Sequence, residues 1–437
     1  MMRKFSTIVV ITLVLGLLAT ACGAAPTPAP AAATPTPVPL ASTAAPRVLK
    51  VGVLGPFTGP NARVGEEFQG SVTMAFEAID WTIGDYTIEL VWIDSESDSE
   101  KATLAYEAAI LRDKIDVGIL NWQTWVAAPC MDVVAKHHIP HFFGFGAGDI
   151  INEKYHSDPE KYSYWLGKTW PTPGKLSEAY IVALEEAIAE GLWEPGEKTV
   201  ALCSEDTDWG RSYSEALKAN FEEAGWNVVS SEVFPFGETE FYPLLNKIVG
   251  LKPAVVAGSM NRPEAFVKQA REIKLNSLLI IDGLGWVGEW YELTGEASDY
   301  VIDQIPQWTT DEAKAFKDEF EERQGFPVSP SAGGLAYDAT NFFIEIAKAT
   351  YEEYGELSRE TLYEFGREKL ITGEFTYTDG ILMEELKFTP ESMPDPVVGE
   401  DGYIFPVIQY FGGEGTIVWP PSWKEADLKI PPWYGQW

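Results

Sequence analysis

The residues of this chain best suited to chemistry are few and clustered. Four histidines occur, three of them within His137-His138-Ile139-Pro140-His141 and the fourth at His156. Imidazoles that close together suggest a metal, but a structural zinc site needs four ordered ligands. No cysteine or glutamate stands at ligand spacing beside them, and no metal is expected. The acidic run Asp94-Ser95-Glu96-Ser97-Asp98-Ser99-Glu100 offers oxygens for calcium. It lacks the glycine that gives calcium loops their sharp turn, and reads as a solvated turn whose Ser and Asp side chains cap a helix. Cys130 and Cys203 are too few for a disulfide framework and are expected as buried free thiols. Neither a G-x-S-x-G elbow, a P-loop nor an H-E-x-x-H occurs, so no cofactor is expected and an enzyme is the weaker alternative to a binding protein. Aromatic chemistry remains: 16 Trp, 18 Tyr and 22 Phe, most of them core, a minority free to line a pocket.

The elements that would position such residues follow from hydrophobic periodicity. Val48 to Leu54 is a short apolar run of strand length, broken by Gly55-Pro56-Phe57-Thr58-Gly59-Pro60. Phe68, Val72, Ala75, Phe76 and Ile79 then recur at helical spacing. Strand, glycine-rich crossing and helix make one βα unit. Tyr86–Ile93, Asp116–Leu120 and His138–Phe145 read as further strands, with a helix over Lys101–Lys114 and another starting near Pro129. Successive βα units argue a parallel, doubly wound sheet. The same alternation resumes after Tyr162–Trp170: helix Lys175–Glu190, strand Thr199–Ser204, helix Ser212–Ala224, strand Val228–Val233, helix Phe241–Val249, strand Ala254–Ala257, helix Pro263–Ile273 and strand Ser277–Asp282. Val301–Trp308 reads as a return crossing, followed by helices over Asp311–Gln324 and Ala336–Tyr351. Gly373–Tyr377 with Asp379-Gly380 suggests a turn between strands. Phe405–Pro421 reads as a hairpin with Gly412-Gly413-Glu414-Gly415 at its tip. The fold class expected is α/β: two Rossmann-like lobes with parallel sheets joined by a multi-strand hinge.

The opening stretch GVLGPFTGPNARVGEEFQGSVTMAFEAID resembles the type I extracytoplasmic solute-binding proteins of ABC importers, in the branch of the Leu/Ile/Val-binding receptors. Gly55, Pro56, Thr58, Gly59, Gly65, Gly70 and Ala75 fit that pattern, as does the closing Val418-Trp419-Pro420. The resemblance runs roughly from Val48 to Pro421. It implies two lobes that close on a small molecule, and a site in the loops at the strand ends, where open α/β sheets bind ligands. Matched residue by residue, it places Trp122, Gln123 and Thr124 in the loop that offers a hydroxyl to a ligand carboxylate. Gly146, Ala147 and Gly148 stand where backbone and a threonine normally serve, leaving a glycine nest for an anion. Trp209, preceded by Asp206 and Asp208, takes the place of a covering tyrosine, and Asn261 and Arg262 fill the next loop. Arg63, in the variable run between Gly59 and Gly65, completes the set with Trp286 and Leu284. Leu284 falls where the amino-acid receptors carry the carboxylate that pairs the ligand ammonium. Either Asp206 or Asp208 substitutes for it, or the ligand is not an α-amino acid; Trp122, Trp209 and Trp286 would suit a flat molecule or a cation held on ring faces.

The front of the chain carries targeting information. Arg3 and Lys4 precede the apolar run Thr7–Ala19, and Ala19-Thr20-Ala21-Cys22 follows. That pattern reads as a signal peptide and resembles a bacterial lipobox, in which Cys22 is lipidated; a plain secretory cleavage site is the alternative. Residues 23–46 are almost entirely Ala, Pro and Thr, an extended tether. The division expected is residues 1–21 signal peptide, 22–46 lipidated cysteine and tether, 47–168 with 306–372 the first lobe, 169–305 with 373–421 the second lobe and hinge, and 422–437 a tail. Lys and Arg total 32 against 66 Asp and Glu, a formal charge of −34. Such an excess repels phosphate backbones and disfavours nucleic acid. The partners expected are a small-molecule ligand and the membrane subunits of an ABC permease, with the protein itself a monomer held extracytoplasmically by its lipid. A ligand sensor reporting to a membrane signalling partner is the other reading in the binding class.

Overall fold

The computed structural model describes residues 47–399 and 402–437. The signal peptide, Cys22 and the tether lie outside the described residues. In chain order the first elements are β1 (Arg47–Gly55), α1 (Ala62–Glu77), β2 (Thr82–Ile83), β3 (Tyr86–Asp94), α2 (Ser99–Ala108), β4 (Val117–Ile119), α3 (Thr124–His137), β5 (His141–Gly144), α4 (Asp149–Ser157) and β6 (Trp165–Lys168). Their strands form one sheet in the order β2-β3-β1-β4-β5-β6. It is parallel except for β2, which runs against β3. There follow α5 (Pro173–Ala189), β7 (Thr199–Glu205), α6 (Asp208–Glu223), β8 (Asn227–Phe234), α7 (Tyr242–Leu251), β9 (Val255–Ser259), α8 (Pro263–Glu272), β10 (Leu278–Asp282), α9 (Trp290–Thr294) and β11 (Ile302–Gln304). The chain continues through α10 (Asp311–Gln324), α11 (Leu335–Tyr354), α12 (Arg359–Phe365), β12 (Val407–Phe411) and β13 (Glu414–Trp419). The second sheet runs β13-β12-β11-β10-β9-β7-β8, with β12 and β13 antiparallel at one edge. This is the two-lobed α/β architecture the sequence pattern implies.

The strands form where burial on both faces rewards continuous apolar runs. Every residue of β9 (VVAGS) and of β10 (LLIID) is buried. β3 instead alternates for much of its length and is half-covered. Helix α1 lies close over the β1 crossing because residue 65 is glycine: a Cβ there would approach the Pro56 carbonyl oxygen to 2.4 Å. Helix α11 returns to pack on α1, so the chain revisits the first lobe after building most of the second. Cys130 and Cys203 are free and fully buried, one in α3 and one in β7; burial pushes both thiols up to about 12.

In both sheets the strand order reverses beside the first strand, at β1/β4 and at β7/β9. Crevices at such switch points are where doubly wound sheets hold ligands. The hinge between the lobes carries a buried ion pair. Lys168 Nζ lies 2.7 Å from Asp395 Oδ1, with the two side chains 0% and 1% exposed. Asn152 accepts from Lys168 Nζ at 2.6 Å and donates to Asp395 at 3.0 Å, and Lys175 reaches the other Asp395 oxygen at 3.0 Å. Burial alone would raise the Asp395 pKa, but the two lysines outweigh it and hold the carboxyl below its usual range. Among the described residues no helix is long and apolar enough to cross a membrane.

Some local expectations differ. Helix α3 starts at Thr124 rather than near Pro129, which lies inside it. A proline there removes the bond to the carbonyl four residues back, a local loss that the buried face of α3 overrides. Helix α6 likewise starts at Asp208, capped by the Thr207 side chain, which accepts from the Gly210 amide at 3.0 Å. The strands expected around Gly373–Gly380 are a single bridge between Tyr377 and Leu386. The histidine cluster is dispersed. His137 Nε2 sits 2.8 Å from Glu107, His138 stacks on Tyr164, and His141 is buried with Nδ1 2.8 Å from the Tyr106 hydroxyl. The acidic run behaves as read, with the Asp98 side chain accepting from the Glu100 and Lys101 amides at the head of α2.

Candidate functional site

The site is assembled from loops laced together by buried amides. At the end of β4, Leu120 takes a left-handed conformation (φ 60°) and turns the chain toward the gap between the lobes. Asn121 is fully buried and ties two loops together. Its Nδ2 donates to the Gln123 carbonyl at 3.0 Å, its Oδ1 accepts from the Gly146 amide at 3.3 Å, and its carbonyl accepts from Phe145 N at 3.2 Å. Thr124 Oγ1 accepts from the Gly148 amide at 3.0 Å. The Gly146 and Gly148 amides therefore serve the scaffold rather than forming the open anion nest expected. Gln123 and Trp125 are anchored to Ser97, through its hydroxyl at 2.8 Å and its carbonyl at 3.1 Å.

The second lobe answers with a hydrogen-bonded relay. Trp209 Nε1 donates to Ser259 Oγ at 2.8 Å, and Ser259 Oγ donates to Asp282 Oδ2 at 2.6 Å. The indole is thus fixed edge-on to a wholly buried carboxylate. Burial raises the Asp282 pKa, and the neighbouring Asp303 charge adds to it. Asn261 donates to Glu205 at 2.7 Å and accepts from Asn61 Nδ2 at 3.2 Å, a bond across the gap. The loop after β10 turns at Gly283 (φ 110°) and presents Leu284 and Trp286. Its Gly285 amide donates to Asp303 at 3.0 Å and its carbonyl accepts from Ser329 Oγ at 2.5 Å.

These residues enclose two adjoining chambers. The inner one is small, about 40 Å³, and is lined by Trp122, Gln123, Thr124, Gly146, Ala147, Trp209, Asn261 and Trp286, together with Trp125, Phe145 and Trp170. No charged side chain lines it. The outer one, about 340 Å³, is lined by Arg63, Arg262 and Leu284, by Asn61, Glu289 and Trp290 among others, and shares Trp122, Asn261 and Trp286 with the inner chamber. The outer volume falls within the roughly 300–1,000 Å³ of small-molecule pockets, and the inner one falls well below it. Trp122 and Trp286 form the waist, their rings edge to face with centroids 5.6 Å apart. Trp209 lies 6.4 Å from Trp286 on one side, and Phe145 lies 5.9 Å from Trp122 on the other.

Most residues expected from sequence thus meet at one place; Gly148 and Asp208 line neither chamber. Asp206 is bonded to Arg211 and, like Asp208, lines neither chamber. Arg63 is engaged as a clasp. Its Nε bonds Glu289, its Nη2 donates to the Pro327 carbonyl at 2.6 Å, and its guanidinium lies 3.8 Å over the Phe326 ring. Beside it Glu67 is fully buried and accepts amides from Gly288 (3.1 Å), Ser329 (2.9 Å) and Gly333 (3.0 Å). Burial pushes its carboxyl up to about 8 against the pull of Arg63 and those amides. Trp125 and Phe145 flank residues that were expected and share their loops; Trp170 and Glu67 carry no local signal of their place.

The fold is shared with solved receptors. A Rhodopseudomonas palustris solute-binding protein in complex with benzoate is similar with a TM-score of 0.69 and 21% identity, over 85% of this chain and 95% of that one. The branched-chain amino acid transporter substrate-binding protein LivJ of Streptococcus pneumoniae, in complex with isoleucine, gives 0.67 and 17%, over 84% and 98%. A Leu/Ile/Val-binding protein homolog 6 of Brucella abortus is 24% identical over 209 residues, 48% of this chain. The chain spans about half the length of that relative, 50%. The model of the family described as periplasmic binding protein matches residues 48–389, and the chain belongs to that family.

Proposed function

We propose that this protein is an extracytoplasmic solute-binding receptor that captures a small organic ligand (an amino acid, an aromatic acid or an amide) between its lobes and delivers it to the membrane subunits of an ABC permease. Cys22 would be lipidated, and the tether over residues 23–46 would hold a monomeric receptor near its permease. The observation that carries the reading is the waist of Trp122 and Trp286, one from each lobe, beside a cavity of about 340 Å³ lined from both lobes. Closing the lobes buries such rings against a flat ligand, and the closed form is what a permease can distinguish from the open one. The relatives' names and the ligands of the solved neighbours support the chemistry, isoleucine in one and benzoate in another.

The test is native mass spectrometry of protein taken directly from its host, followed by calorimetry with whatever is released. A co-purifying small molecule that rebinds and protects the protein against thermal unfolding supports the reading. A protein that carries nothing and responds to no amino acid, aromatic acid or amide refutes it.

A further inference from the structure

We propose that Arg63 and Glu289 form a latch between the lobes, a bond of the protein's own that holds the cleft shut and must release before the outer chamber admits or discharges a ligand. Its role toward a ligand rests on the receptor reading above; the latch itself does not. Arg63 stands on α1, which follows β1 of the first sheet, and Glu289 in the loop after β10 of the second. Both line the outer chamber, so latching and enclosing that cavity are one event. Other polar contacts cross the gap. Asn61 Nδ2 donates to Asn261 at 3.2 Å, the Asp149 amide to Ser212 Oγ at 3.3 Å, and the Gly288 amide to Glu67 at 3.1 Å. Two of these join neutral groups, and the third ends on the Glu67 carboxyl, whose ionisation burial opposes. The Arg63–Glu289 bond joins two charges, and such bonds are roughly twice as strong as neutral ones. With side chains 23% and 21% exposed, it is screened less than a surface pair.

The guanidinium is in place before Glu289 arrives. It lies 3.8 Å over the Phe326 ring and donates to the Pro327 carbonyl at 2.6 Å. Phe326 packs against Met74 of α1 and against Phe316 and Phe320 of α10, so these supports travel with Arg63, and little freedom is lost on latching. The second-lobe loop seats closely on them: a Cβ at Gly288 would come within 2.3 Å of the Pro327 carbonyl oxygen. The latch is also able to let go. Glu66 and Glu67, on the same helix as Arg63, lie 3.8 and 3.4 Å from its nitrogens, so the guanidinium keeps carboxylates beside it when Glu289 leaves. Arg63 Nη1 and Glu289 Oε2 are buried without a hydrogen-bond partner among the described residues, and parting the lobes hydrates both.

Hydrogen exchange on the purified full chain with no ligand added, resolved to single amides and corrected for intrinsic rates, decides this. The Gly288 and Asp149 amides are bonded across the gap at two separate places. The Gly148 and Gly285 amides are bonded within one lobe, to Thr124 and Asp303. Glu289→Gln keeps the side chain's size and removes its charge. It should speed exchange at both Gly288 and Asp149 by about tenfold and leave Gly148 and Gly285 unchanged. Raising NaCl from about 0.05 to about 1 M should speed the same two amides in the wild type and not in the variant. In an Arg63→Met background, Glu289→Gln should have no further effect. Unchanged exchange at Gly288 and Asp149 overturns the latch. Faster exchange at Gly288 alone does so too, reducing the pair to a local brace, as does an effect of Glu289→Gln undiminished by Arg63→Met. No ligand is needed, so a failure here leaves the receptor reading standing, and a failed ligand search leaves the latch standing.

Discussion

Trp122 and Trp286 touch edge to face, 5.6 Å between ring centroids, although one is carried by the first sheet and the other by the second. The contact exists only while the lobes are close, and each ring also forms part of both chamber walls. Trp286→Ala should therefore weaken ligand binding by about 2 kcal/mol, roughly thirtyfold in Kd, and, because the ring is packed in the core, should also lower stability by up to about 3–5 kcal/mol. Titration calorimetry beside differential scanning calorimetry measures both. An unaltered Kd would remove Trp286 from the site.

Glu67 gives a pH signature. Its folded-state pKa of about 8 lies above the ordinary 4.5, so the folded protein keeps a proton that the unfolded chain releases. Stability from this group is complete below pH 4.5 and is lost as pH rises to about 8, by at most about 1.4 kcal/mol per pH unit. His141 acts in the opposite sense. Burial lowers its pKa to about 3, so its contribution is lost as pH falls below 6.5. Comparing wild type with Glu67→Gln isolates the first effect. Denaturant titrations between pH 5 and 8 should show the wild type losing stability relative to the variant as pH rises, and a constant difference would contradict the assignment.

The hinge pair is a sharper test of packing. Lys168 and Asp395 are both sealed from solvent, so Asp395→Leu leaves a buried ammonium without its main counterion and should cost about 3–5 kcal/mol. The double substitution Lys168→Met/Asp395→Leu should recover most of that loss, because two buried charges are replaced by apolar groups of similar size. Equilibrium unfolding of the single and double variants supplies the numbers. Equal destabilisation in both would show that the geometry, not the charge, matters.

The tail over residues 422–437 acts as a strap on the second lobe. Gln409 exchanges bonds with the Lys429 backbone at 2.8 and 2.9 Å. Gly435 N donates to the Asn276 carbonyl at 3.0 Å, and Leu428 is buried. Leu428→Ala should destabilise by about 2–5 kcal/mol, the range for a buried leucine, without weakening ligand binding at the distant chambers. A thermal-shift measurement against a Kd measurement separates the two.

Cys22 is tested in cells. Cys22→Ser should release the protein from the membrane fraction and abolish labelling with a radioactive fatty acid. A variant that fractionates and labels as wild type would exclude the lipoprotein reading.

The parts of this fold that sequence discloses are those encoded locally. β9 and β10 are unbroken apolar runs between breakers, α10 matches its expected span Asp311–Gln324, and the last hairpin turns at Gly412-Gly413 as its glycines demand. Helix α12 escaped notice because its seven residues are too short for periodicity to show, and its start is marked by a Ser358/Thr361 capping box rather than the usual Ser-x-x-Glu. Gly373–Gly380 misled because turn residues there bound irregular backbone instead of strands. In the candidate site, Trp122, Trp209 and Trp286 are reached by matching the strand-end loops to the family pattern, and all three line the chambers. The neutralisation of Arg63 was not legible, since its partner Glu289 is 226 residues away. Glu67 was hidden for the same reason, its amide donors lying 221 to 266 residues along the chain.

The two sealed thiols have a practical consequence. With Cys130 and Cys203 wholly enclosed and their ionisation suppressed, a maleimide dye added to a version beginning at Arg47 would find nothing to modify. A single cysteine introduced at exposed Arg262 would then be the one addressable point on the folded surface, at the mouth of the outer chamber. A fluorophore attached there would report lobe movement as a change in brightness, turning the receptor into a reagentless sensor for whatever it captures.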